Sequence, residues 1–189
     1  MDIELVCEGL KFPEGPIAMA DGSIILTEIQ GQTLTRVTPD GKKEVIANLG
    51  GGPNGAAIGP DGACYVTNNG GSFQYHEVNG LNIPGPTPAS YTGGSIQRVD
   101  LKTGAFTTLY TEAGGRRLEG PNDLVFDKQG GMWLTEHGTT TPLGRNYGGL
   151  LYAAPDGSKI TRLRDGMISP NGVGLSPDEK TVYVADTWL

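Results

Sequence analysis

Four places in the chain carry an oxygen-bearing side chain in one frame: Pro13-Glu14-Gly15, Pro53-Asn54-Gly55, Pro121-Asn122-Asp123 and Pro170-Asn171-Gly172. One carboxylate and three carboxamides gathered at a point would make a hard, weakly charged oxygen cage. That suits Ca2+, which takes oxygen ligands at about 2.3–2.6 Å and tolerates irregular geometry. Zinc and copper favour His and Cys, and here Cys7, Cys64, His76 and His137 stand in unrelated contexts. The expected cofactor is therefore a divalent cation, Ca2+ first, with Zn2+, Mg2+ and Mn2+ left open. A blander reading is that Asn and Gly merely serve a turn, since Asn tolerates left-handed backbone. Glu14 resists that reading, because Glu is a poor turn residue in that slot.

The elements that must position these residues are hairpins. The stretches FPEGPIAMADGSIILTE, GPNGAAIGPDGACYVTN, GPNDLVFDKQGGMWLTE and SPNGVGLSPDEKTVYVAD each run from a Pro-led turn into a short apolar strand, through a second turn and back. Between them lie further strand pairs: QTLTRVTPDGKKEVIANL, GSIQRVDLKTGAFTTLY and GLLYAAPDGSKITRL. One unit thus holds four antiparallel strands. Positions 14, 54, 122 and 171 are 40, 68 and 49 residues apart, the surplus being loop. A period near 40 with four strands per unit predicts an all-β fold, a β-propeller of four-stranded antiparallel blades. A β-sandwich would need the repeated Pro-led turn to be chance. GGGPNG at 50–55 matches a nucleotide-binding pattern on paper, but it opens a strand rather than a helix.

In a propeller the first strand of each blade lines the central channel, so Glu14, Asn54, Asn122 and Asn171 should converge at one end. The second strands return beside them. Thr27 and Glu28, Thr67 and Asn68, and Thr135, Glu136 and His137 should lie level with the site and orient its ligands. The Gly/Pro-rich stretch 70–94 is expected to arch over it.

Composition bounds the rest. Thirty-one Gly and thirteen Pro in 189 residues demand many turns. A net charge of -7 without a basic stripe argues against nucleic acid. No apolar run approaches a membrane span and the N-terminus lacks a leader pattern, so a cytoplasmic location with no membrane partner is expected. Cys7 and Cys64 read as buried thiols rather than a disulfide.

FPEGP, PNDLVFDKQGGMWLTE and SPNGVGLSPDEKTVYVADT together resemble the senescence-marker-protein, gluconolactonase and regucalcin family of six-bladed propellers. The resemblance implies that residues 1–189 are a single partial propeller domain, about four blades of six, truncated at the C-terminus. It implies a metal-dependent hydrolase of a lactone, its small-molecule substrate. Glu14, Asn171 and Asn122 would surround the metal, with Asn122 also contacting substrate; Asn54 and His137 carry no role from the resemblance and are expected at the substrate by their repeat and rim positions alone. The catalytic general base, an Asp of the fifth blade, would lie beyond Leu189, and Asp186 beside Asn171 does not replace it. The chain departs from sugar-lactone members at Gly120, where they carry Arg. A phosphotriesterase, or a non-catalytic propeller with Ca2+ as a structural ion, is the alternative.

Overall fold

The computed structural model describes residues 3–187, all in strands, turns and loops. Strands β1 (Pro13–Ala18), β2 (Ile24–Glu28), β3 (Thr33–Val37) and β4 (Lys43–Asn48) form a first antiparallel sheet in that order. The second sheet begins with β5 (Pro53–Ile58) and β6 (Cys64–Asn68). A hairpin, β7 (Tyr75–Val78) and β8 (Leu81–Pro84), then interrupts it before β9 (Ser95–Val99) and β10 (Phe106–Tyr110) complete it. A short hairpin, β11 (Glu112–Ala113) and β12 (Arg116–Arg117), leads into the third sheet. There β13 (Pro121–Phe126) and β14 (Met132–Glu136) are separated from β17 (Gly148–Ala153) and β18 (Ile160–Met167) by the hairpin β15 (Thr139–Thr141) and β16 (Gly144–Asn146). Finally β19 (Pro170–Leu175) pairs with β20 (Val182–Asp186). The inserted hairpins explain the uneven repeat spacing. No helix of the described residues is long and apolar enough to cross a membrane.

The turns between first and second strands share one chemistry. Asp21, Asp61, Asp127 and Asp178 each accept a backbone N–H two residues on, at 3.0–3.2 Å. Gly22, Gly62 and Gly130 supply the left-handed residue, with φ of 79, 76 and 83°. The fourth turn sets Glu179 in that role at φ 55°. Its carboxylate accepts the Lys128 N–H at 3.0 Å, which ties the fourth pair to the third sheet.

The core lies between neighbouring sheets. Ile25, Leu34, Leu49, Cys64, Val66 and Val99 interlock the first two. Tyr65, Ile96, Leu124, Met132, Leu134 and Leu151 interlock the second and third. Cys64 is buried and Cys7 half-buried, both free thiols. Burial pushes the Cys64 thiol up to about 12, so it stays protonated and inert. The first strands pack side by side, β1 on β5, β5 on β13 and β13 on β19, so their N-terminal ends share one locality.

Candidate active site

Each first strand carries the same irregularity. Regular pairing with the second strand breaks between Glu14 and Ile17, Pro53 and Ala56, Pro121 and Leu124, and Pro170 and Val173. A bulge inserts an unpaired residue and re-aims side chains. Repeated four times, it sets Glu14, Asn54, Asn122 and Asn171 around one cavity of about 520 Å3.

The glycine after the polar residue lets the strands approach. A Cβ on Gly15 would stand 2.6 Å from Ala56 N, and one on Gly55 would stand 2.6 Å from Asn122 O. The third repeat has Asp123 instead, and its Oδ2 accepts the Val173 N–H of β19 at 3.0 Å. Threonines at the ends of the second strands then fasten each site residue to the sheet before it. Thr27 Oγ1 donates to Asn54 O, Thr67 Oγ1 to Asn122 O at 2.5 Å, and Thr135 Oγ1 to Asn171 O. The Thr67 and Thr135 hydroxyls also accept the N–H of Gly55 and Asp123 at 2.9 and 3.1 Å. All three threonines are buried, so these bonds are sheltered from water.

Burial raises the Glu14 carboxyl above its ordinary range, the Gly15 N–H opposes this, and the Asp123 carboxylate reinforces it. Burial likewise raises Asp123. Glu14 keeps contact with solvent, which moderates the push on its carboxyl. The Glu14 carboxylate beside the amide oxygens of Asn54, Asn122 and Asn171 is a donor set that a hard divalent cation fits, while both Asp123 oxygens are taken up by the N–H groups of Leu124 and Val173. Among the described residues no group of three or more His, Cys, Asp or Glu side chains forms a metal cluster. The fit is thus to an amide-rich oxygen cage with one floor carboxylate, not to a Zn-type site.

One side of the cavity is polar, with His137, Thr140, Arg145 and Thr187. Arg145 donates to Ile168 O, His137 O, Ser169 Oγ and Thr140 Oγ1 at 2.6–3.0 Å. Ser169 Oγ also stands 2.9 Å from His137 Nε2. Burial lowers His137 to about 4, helped by the Arg145 charge and opposed by a bond to Pro170 and the charge of Asp186. The ring is therefore neutral near pH 7. The other side is apolar: Phe12, Ile29, Phe73, Pro84 and Pro86. A larger recess of about 700 Å3, lined by Lys128, Gln129, Tyr152, Lys159 and Leu163 among others, lies at the opposite strand ends, away from the four repeat residues.

The description SMP-30/Gluconolactonase/LRE-like region matches residues 12–189. The chain belongs to this family. It is 26% identical over 206 residues to a gluconolactonase of Zymomonas mobilis, covering 98% of this chain and 51% of that protein. It is 29% identical to lactonase drp35 of Staphylococcus saprophyticus, covering 98% and 51%. The chain therefore spans about half the length of these curated relatives. A solved gluconolactonase from Xanthomonas campestris superposes with a TM-score of 0.69 at 23% identity, over 93% of this chain and 54% of that one. A calcium-binding regucalcin from Agrobacterium tumefaciens gives 0.64 at 21%, over 95% and 52%. These likenesses show a propeller-type fold.

For this SMP-30/gluconolactonase family member, the structure brings all four repeat residues and His137 into one cavity. Stretch 70–94 does reach it, through Phe73, Pro84, Gly85 and Pro86. The second-strand acids behave differently from the expectation that they orient ligands. Glu28 accepts Lys11 N–H at 2.6 Å and Glu136 accepts Glu119 N–H at 2.6 Å. Glu136 also pairs with Arg162 at 2.5 and 3.0 Å. They hold the lead-in turns because the register sets them opposite Pro13 and Pro121. Asp186 likewise stands opposite Pro170, and Asn171 Nδ2 donates to Thr187 Oγ1 instead, at 3.1 Å. The Asp expected beyond Leu189 lies outside the described residues. Sequence reasoning missed the roles of Asp123, Arg145 and Ser169. Asp123 departs from the repeated Gly, which was its one visible signal; Arg145 has no repeat equivalent, and Ser169 fills the pre-proline slot that Phe12, Gly52 and Gly120 hold in the other repeats.

Proposed function

We propose that this chain carries the cation- and substrate-binding floor of a lactone hydrolase, within a six-bladed propeller. The observation that carries the reading is the fourfold bulge that sets Glu14, Asn54, Asn122 and Asn171 around one cavity. Glu14 and Asn171 would hold a divalent cation, Ca2+ by the hardness of the oxygens, with Asn122 shared between cation and substrate. The bound cation would supply Lewis-acid polarisation of the ester carbonyl.

The remaining steps fall to the chain's own groups. Asn54 and Asn122 offer amide N–H donors to the substrate oxygens from backbones fixed by Thr27 and Thr67. His137, neutral, hydrogen-bonds the ring without adding charge. The inserted hairpins are joined where Thr87 N donates to Thr140 O at 2.9 Å, and this roof limits the water that reaches the ester.

The test is hydrolysis of a lactone panel by the intact protein, with chelator and after Ca2+ is restored. Loss and recovery of activity are expected. Activity indifferent to chelation would overturn the cation reading. Hydrolysis confined to phosphotriesters, or no turnover of either class, would replace it with the alternative concerned.

A further inference from the structure

The apolar side of the cavity is held in place at a conformational cost. Phe12 has φ 59°, a left-handed backbone that a bulky residue rarely adopts and that its following proline further restricts. Such a residue persists only where its surroundings over-determine it. They do so here: Ile29 N donates to Phe12 O at 3.0 Å, and the preceding Lys11 N is bound by Glu28 at 2.6 Å. The ring packs against Tyr75, with centroids 5.4 Å apart, while Phe12 also lines the cavity. Phe73 also lines the cavity, with its ring centroid 6.3 Å from His137. Ile29, Pro84 and Pro86 fill the wall between and offer no side-chain hydrogen-bond donor or acceptor. On this side a polyhydroxylated substrate would have to strip water from its hydroxyls without replacing the lost hydrogen bonds.

Resting on the lactone reading above, we infer that the substrate is a lactone with an apolar substituent, and that Phe12, Ile29 and Phe73 form the subsite that selects it. The ester sits over the oxygen floor, and an alkyl or aryl arm lies along the Phe12–Phe73 wall. Pro84 and Pro86 cap that arm from the inserted hairpin.

The intact protein is assayed with δ-nonalactone, the unsubstituted δ-valerolactone and glucono-δ-lactone. The kcat/KM for δ-nonalactone is expected to exceed that for glucono-δ-lactone by about tenfold or more, since each added methylene in an apolar pocket is worth about 10–200-fold. Phe73→Ala and Phe12→Ala should each lower the δ-nonalactone to δ-valerolactone ratio about tenfold, and Phe73→Leu should restore most of it. If Phe73→Ala does not fold, Ile29→Thr carries the same comparison by shortening the wall and placing a hydroxyl in it. A preference for glucono-δ-lactone, or an equal loss on both simple lactones, overturns the subsite. If no lactone is hydrolysed, the functional reading fails separately, and calorimetry with the butyl-substituted δ-lactam decides the subsite. Binding weakened about tenfold by Phe73→Ala supports it; absent binding, or binding unchanged by the substitution, overturns it.

Discussion

The floor and the roof of the cavity are built in opposite ways. The floor is periodic: Glu14, Asn54, Asn122 and Asn171 occupy one bulge position in four successive strand pairs, three of them latched by a buried threonine. The roof is aperiodic, made from hairpins inserted after the second strand of the second and third sheets, and it supplies Phe73, Pro84, Thr140 and Arg145. The oxygen-bearing side chains proposed to hold a cation come from the part that repetition dictates. Substrate-shaped surface comes from the part where repetition is interrupted. The division of labour this teaches is that chemistry should be common to many substrates, while selection among them should move with the inserts.

The largest expected effect is on the floor. Glu14→Gln keeps the size but removes the charge, and kcat/KM should fall about 100–1,000-fold for every substrate, as for loss of one electrostatic stabiliser. Titration of Ca2+ should show weakened affinity, with partial recovery at high concentration. A loss confined to one substrate would break the division between floor and roof.

Next comes the pH response of the polar wall. His137 is lowered to about 4 in the folded state from an ordinary value near 6.5. Between those values the unfolded chain binds more protons, so stability is fully present above about 6.5 and is lost as pH falls toward about 4. The contribution is at most about 3 kcal/mol. Denaturant melts of the intact protein and of His137→Gln across that window should diverge in this sense; parallel curves would refute the assignment.

Thr67→Val leaves the Gly55 N–H and Asn122 carbonyl without their buried partner. It should cost about 1–3 kcal/mol of stability and lower turnover on all substrates alike. Smallest is the effect of replacing residues 75–84 by a short turn. Stability should change by less than about 1 kcal/mol, because exposed loops tolerate deletion well. The ranking of substrates should shift instead, and an unchanged ranking across the lactone panel would remove the roof from selection.

What was legible in the sequence follows the same boundary. The four strand pairs and the convergence of Glu14, Asn54, Asn122 and Asn171 could be read because repetition places equal residues in equal environments. The threonines were visible as level with the site, but their partners were not. Thr67 and the Asn122 carbonyl are 55 residues apart, and only sheet-to-sheet packing joins them. The purpose of the glycine was also hidden: it admits the neighbouring strand rather than serving a turn. Arg145 sits on an insert and binds four groups whose proximity no local pattern announces. Asp186 was expected beside Asn171, yet the bulge sets it opposite Pro170.

The threonine latches also bear on ion choice. Each fastens a floor residue not to its own sheet but to the one before it, so the aperture among the floor oxygens follows the spacing between sheets. Side-chain rotamers alone do not fix it. A methyl group added or removed where Ile25 and Leu34 of the first sheet pack against Val66 and Val99 of the second would then widen or narrow the ring of oxygens as a whole. If the proposed cation binds there, discrimination between a small and a large alkaline-earth ion would be a property of the hydrophobic joints, tuned by residues that never touch the ion.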